Sequence, residues 1–111
     1  MSIRIKRAYE PASPGDGARV LVDRLWPRGL SKERLKLDAW MKELAPSDEL
    51  RKRFHHEAAR WAEFEKSYFA ELRRQPEKVE ELRKQARRRT VTLIYGARDE
   101  THNNAAALKK Y

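Results

Sequence analysis

Residues 19–29 read RVLVDRLWPRG. A short apolar run stops at Asp23 and gives way to Arg24, Leu25, Trp26, Pro27 and Arg28. A strand that ends in opposite charges and an aromatic marks the carboxyl edge of an α/β sheet, where loops line the binding crevice. The run Ala18 to Val22 is nearly continuous in apolar residues, which predicts a central strand covered on both faces. This stretch sets the expected class: a small basic α/β domain spanning residues 1–111, with a polar pocket at the strand ends.

Upstream, PASPGDG from Pro11 to Gly17 is turn chemistry throughout and predicts a surface loop. Before it, Ile3 and Ile5 alternate with Arg4 and Lys6, the period of a strand with one wet side, over Ile3 to Tyr9. Downstream the pattern turns helical. Ser31 opens a short helical turn, and LDAWMKEL (Leu37 to Leu44) carries apolar residues at helical spacing and reads as short or irregular helix. Pro46 and Ser47 restart a helix, with Ser47 as its cap and Asp48 and Glu49 at the positive end of its dipole. A longer helix follows from about Glu57 to Arg74, its stripe made by Trp61, Phe64, Tyr68 and Leu72. Pro76 permits another start, and Glu77 to Arg88 turns Val79, Leu82 and Ala86 to one side. Thr90 to Tyr95, TVTLIY, is rich in β-branched residues and predicts a strand. A last helix begins near Thr101 or His102.

The order strand, strand, helices, strand, helix predicts a three- or four-stranded, largely parallel sheet covered by helices. If the Ala18–Val22 and Thr90–Tyr95 strands are parallel neighbours joined by the helical crossover, their carboxyl ends lie side by side. DRLWPRG and GARDETHNN, far apart in sequence, then share one crevice.

Composition sets limits on what that crevice can hold. The chain has 111 residues, 40% hydrophobic and 39% charged, with net charge +9 and no cysteine. Absence of cysteine removes disulfides, thiolate nucleophiles and iron–sulfur ligation together. No segment has the length or apolarity of a signal peptide or membrane span, so a soluble, cytoplasmic protein is expected. The positive excess attracts polyanions or anionic metabolites, although many charges alternate in sign along helices as solvated ion-pair lattices do.

Asp23 reads as a general base or the partner that orients an arginine, or else as the cap that ties down its loop. Arg24 and Arg28 offer guanidiniums for a carboxylate or phosphate, with Trp26 between them as a stacking surface or a packed wall. Beyond the last strand, His102 is the proton-transfer candidate because its reference pKa lies near neutrality. Asn103 and Asn104 sit where the first amides of a helix can receive an anion, unless Asp99 or Thr101 caps them instead. Tyr95 closes the strand and presents its hydroxyl to the crevice or to the core. His55 and His56 are adjacent, which sends them in different directions on a helix. A set of His56, His102, Asp23 and Asp99 has zinc- or iron-binding chemistry but no metal-ligand spacing, so no metal is assigned. No Gly-rich phosphate loop and no nucleophile turn is present, so no cofactor is assigned. The tract Arg83, Lys84, Arg87, Arg88 and Arg89 is the alternative site, for the backbone of a nucleic acid, although it lacks interleaved aromatics.

RVLVDRLWPRGLSKE, LDAWMKELAPSDELRKRF and TVTLIYGARDETHNNA, in that order, resemble the YeaO-like family of bacterial proteins over nearly the whole chain. The resemblance implies a small cytoplasmic α/β protein and assigns no reaction. Matching positions are Asp23, Arg24, Trp26, Pro27, Arg28, Lys32, Trp40, Lys42, Pro46, Ser47, Phe54, His56, Trp61, Tyr95, Asp99, His102 and Asn103. The familiar pattern often has alanine and lysine where this chain has Gly96 and Arg98, and a small residue in place of His55. Arg98 adds a guanidinium that can contact a ligand in two places. The functional expectation is therefore an arginine-lined pocket for a small anionic ligand, served by Arg24, Trp26, Arg28, Tyr95, Arg98, Asp99 and Asn103, with Asp23 or His102 moving a proton if chemistry occurs.

Overall fold

The chain is described by a computed structural model covering residues 2–54 and 58–111. Four strands form one sheet: β1 (Ile3–Arg7), β2 (Ala18–Leu21), β3 (Ala39–Trp40) and β4 (Val91–Tyr95). Their order is β1-β4-β2-β3 and every pairing is parallel. The expected α/β class thus takes its four-stranded, wholly parallel form. β2 and β4 are the inner strands, with Val20 opposite Leu93 and Leu21 opposite Ile94. All nine of their residues are buried, as continuous apolar runs require.

Alternation along β2 and β4 sends side chains to two different layers. Ala18, Val20, Val22, Val91, Leu93 and Tyr95 join the larger core. That core is completed by α2 (Asp48–Phe54), α3 (Trp61–Leu72), α4 (Pro76–Arg88) and α5 (Asn104–Lys110). Leu21 and Ile94 face the other way, onto Ala8, Leu35, Trp26, Leu30, Leu37 and Trp40. This opposite layer is thin, built from loops and the single turn α1 (Lys32–Leu35). The helices therefore crowd one face and two tryptophans seal the other, meeting edge to face with centroids 5.5 Å apart. Among the described residues no helix is long and apolar enough to cross a membrane.

Several expectations need correction. LDAWMKEL is not helical: Ala39 and Trp40 form β3, and a 3-10 turn follows at Lys42–Leu44. The reason is an unpaired edge on β2. Asp38 N–H donates to Arg19 O (2.8 Å) and Met41 N–H to Leu21 O (2.9 Å), which takes this backbone out of helical pairing. The expected surface loop at Pro11–Gly17 contains a 3-10 turn that buries Asp16. Its carboxylate receives Lys6 Nζ (3.0 Å), Arg19 Nη1 (2.5 Å), Ser13 N–H (3.0 Å) and Ser13 Oγ–H (3.0 Å). β1 ends at Arg7 and not at Tyr9. α5 begins at Asn104, and the long helix at Trp61 after a 3-10 turn at Ala58–Arg60. Glu57, where that helix was expected to start, lies outside the described residues, as do His55 and His56.

Candidate functional site

The carboxyl ends of β2 and β4 do lie side by side, and Asp23 joins them. Asp23 Oδ2 accepts the Gly96 N–H (2.9 Å) and Oδ1 accepts Asn104 Nδ2 (3.0 Å). The same amide nitrogen donates to Val22 O (2.9 Å), and Asp23 O accepts Trp40 Nε1–H (2.7 Å). One side chain thus ties together the loop after β2, the loop after β4 and the start of α5.

Beside this knot opens a crevice of about 260 Å³. Asp23, Arg24 and Leu25 come from the first loop, and Gly96, Ala97, His102, Asn103 and Asn104 from the last. Pro46, Arg51 and Phe54 come from the start and face of α2, and Trp61 and Phe64 from α3. α2 is set in place by an unusual cap. Ser47 Oγ accepts the Leu50 N–H (3.1 Å), and Glu71 of α3 accepts both the Ser47 N–H (2.9 Å) and its hydroxyl (2.5 Å). The Ser47 cap read from the sequence is present, and α3 holds it.

The crevice is cationic along one side. Arg24 and Arg51 are each 38% exposed, and both approach Asp48 Oδ1, Arg51 Nη2 at 3.1 Å and Arg24 Nε at 3.9 Å. Arg24 Nε also lies 3.4 Å from Pro46 O. Two guanidiniums share one exposed carboxylate, which leaves donors for an arriving anion. Aromatic rings line another part. Trp61 stacks on Phe64 (5.4 Å, 26°), Phe54 meets Phe64 edge on (6.0 Å, 81°), and His102 meets Trp61 edge on (5.3 Å, 72°).

His102 is oriented by Asp99, whose Oδ2 lies 3.0 Å from Nδ1. Asp99 Oδ1 accepts the backbone N–H groups of His102 and Thr101, each at 2.9 Å, and the Thr101 hydroxyl at 3.0 Å. Those bonds, the His102 amide first, hold the carboxyl far below the ordinary aspartate range. An ionised Asp99 only accepts, so Nδ1 carries the proton and Nε2 is the acceptor of the neutral ring. Asn103 Oδ1 caps α5 through the Ala106 N–H (2.8 Å). The chain's own Asp99 and Asn103 therefore engage the Thr101, His102 and Ala106 amides, part of the set expected to cradle an anion.

Of the site candidates singled out in the sequence, Asp23, Arg24, His102, Asn103 and Asn104 line the crevice. Trp26 does not: it packs in the opposite layer and donates Nε1–H to Leu30 O (2.7 Å). Arg28 is exposed, and its carbonyl accepts the Tyr9 hydroxyl (3.0 Å). Tyr95 is buried in the helical core, and that burial, with Glu100 and Glu10 nearby, raises its pKa. Arg98 is exposed outside the lining, and Asp99 reaches the crevice only through His102. Among the described residues no cluster of three or more His, Asp or Glu side chains could hold a metal, and His56 lies outside them. The sequence reading missed Arg51 and the exposed side of the aromatic stripe. A signal existed, since Arg51 and Phe54 are three apart and so share a helix face.

An all-parallel sheet with a polar crevice at its carboxyl edge defines a small α/β protein whose candidate site is built from strand-end loops. The chain belongs to the family described as DUF488-N3i, the inactive DUF488-N3 subclade, whose model matches residues 2–111. It is 47% identical over 108 residues to the uncharacterised protein YeaO of Escherichia coli (strain K12), covering 97% of this chain and 94% of that one. It is 42% identical over 106 residues to the uncharacterised proteins Mb3100c of Mycobacterium bovis and Rv3073c of Mycobacterium tuberculosis, covering 96% of this chain and 89% of each. No solved structure matches it.

Proposed function

We propose that this protein binds a small anionic ligand, bearing a carboxylate or phosphate, in the crevice between the β2 and β4 loops and α2. The observation that carries this reading is the convergence of Arg24 and Arg51 on one exposed carboxylate at the rim of a cavity of about 260 Å³. Guanidiniums in this arrangement suit two-pronged recognition of an oxyanion, and the adjoining rings limit competition from water. His102, with Nδ1 fixed by Asp99, supplies an acceptor at Nε2 when neutral and a further donor when protonated. The family's description as an inactive subclade supports binding without turnover, with His102 and Asp23 serving recognition and architecture. The competing nucleic-acid reading finds less support. Within its basic tract, Arg83 and Arg87 are both engaged by Glu80, at 3.8 and 3.1 Å.

Isothermal titration against phosphate, short carboxylates and phosphorylated metabolites tests the reading directly. Binding to the intact protein, weakened at least tenfold in Arg24→Ala and Arg51→Ala, is the expected result, since a hydrogen bond to a charged group contributes about 1.5–3 kcal/mol. Salt-sensitive DNA or RNA binding, abolished by charge reversal at Arg88 and Arg89 and indifferent to Arg24→Ala, would overturn it.

A further inference from the structure

Resting on the reading of the crevice as an anion site, we infer that its ligand is a planar aromatic anion: a flat ring carrying one carboxylate or phosphate. The arginine side accounts for the charge, but the rest of the lining has a different chemistry. Phe54, Phe64, Trp61 and His102 form one continuous chain of ring contacts along the crevice, alternating edge-on and stacked geometry. Phe54 at one end is fully buried, and the Arg60 guanidinium lies 4.6 Å from its ring centroid. Trp61 and Phe64, in the middle, are only half-buried although both pack on the main core. Large rings left half-covered inside a concavity present apolar area that a ligand can bury.

Aromatic pairs favour offset or edge-on contact, so a flat ring extends the existing series, whereas an alkyl chain of equal area gains burial alone. The cavity lies below the roughly 300–1,000 Å³ of sites for drug-sized molecules, which restricts the occupant to one or two rings with a short anionic arm. Asp48 bears on the charge of that arm. It already neutralises part of the Arg24–Arg51 pair, so a single anionic group on that arm satisfies the remaining donors.

Charge-matched ligand pairs on the unaltered protein test this. Calorimetric affinities are compared for benzoate against cyclohexanecarboxylate, and for phenyl phosphate against butyl phosphate; the two pairs separate carboxylate from phosphate recognition. The aromatic member of at least one pair is expected to bind about five- to tenfold tighter. Trp61→Leu is expected to bring that ratio close to one, because the leucine keeps apolar area for burial but offers no ring for edge-on or stacked contact. Equal affinities within both pairs would overturn the aromatic inference and leave the anion site standing. Failure of all four anions to bind would remove the anion site and this inference together.

Discussion

Asp23 Oδ2 accepts the Gly96 N–H at 2.9 Å, closing a link across 73 residues of sequence between the ends of β2 and β4. The other carboxylate oxygen holds Asn104. A residue that reads equally well as a general base is thus the clasp on which the crevice is built. Removing it leaves the part-buried Gly96 N–H without its acceptor and takes one of two acceptors from the Asn104 amide. Asp23→Ala is expected to lower stability by about 2–3 kcal/mol, read as a shift in the urea midpoint at unchanged slope. An unchanged midpoint would contradict the architectural role.

The carboxylate between Arg24 and Arg51 competes with any arriving anion. Asp48→Asn removes that charge while keeping the side-chain size. Anion affinity is expected to rise about threefold to tenfold at low salt, from a Coulomb term near 1 kcal/mol at 4 Å in water-like surroundings, and the gain should shrink as salt is added. A small loss of thermal stability accompanies it, because Asp48 also opens α2. Titration of both proteins at two salt concentrations checks both parts, and reduced affinity in Asp48→Asn would count against the anion site.

Acid should loosen the loop-covered face of the sheet. Burial by itself would raise the pKa of Asp16, but the Ser13 amide, Lys6, the Ser13 hydroxyl and Arg19 together bring it from 3.8 down to about 2. A folded-state value below the unfolded one means the contribution is complete above about pH 5 and lost as pH falls through the folded value. That contribution is on the order of 2 kcal/mol. Asp16→Asn should therefore be less stable near neutrality and show a flatter acid limb between pH 5 and 2 in denaturant melts. Asp99 is shifted in the same direction, but it is exposed and should add little to that limb.

Gly17 has φ +64°, and a Cβ there would stand 2.1 Å from Thr90 O, which accepts the Ala18 N–H at the entry to β2. Gly17→Ala combines a left-handed backbone with a direct clash against the β4 approach. A loss of at least 3 kcal/mol, or failure to accumulate as folded protein, is expected. By contrast, Gly96→Ala brings its Cβ to 3.2 Å from Asp23 Oδ2, which a slight movement relieves. Thermal melts of the two variants should differ sharply, and equal melting temperatures would refute the assigned clash.

Much of this molecule is written locally. The unbroken apolar runs of β2 and β4, the stripe from Trp61 to Leu72, the Pro46–Ser47 restart and the charged termination at Asp23 are properties of neighbouring residues, so period and cap chemistry reveal them. The crossover length and strand order also imply that the Asp23 and His102 corners meet. What neighbours cannot specify is which long-range partner wins. Leu37 to Leu44 has helical spacing, yet an open β2 edge takes its amides and makes β3. Trp26 sits two residues from crevice-lining Arg24 and still turns to the opposite layer, where it meets Trp40. Arg51 joins Arg24 only because α3 anchors Ser47 through Glu71 and sets α2 against the strand ends. Local backbone preferences are short-ranged and show in the chain itself, while the placement of side chains around a cavity depends on packing and hydrogen bonds closed across dozens of residues, and only the tertiary structure decides those.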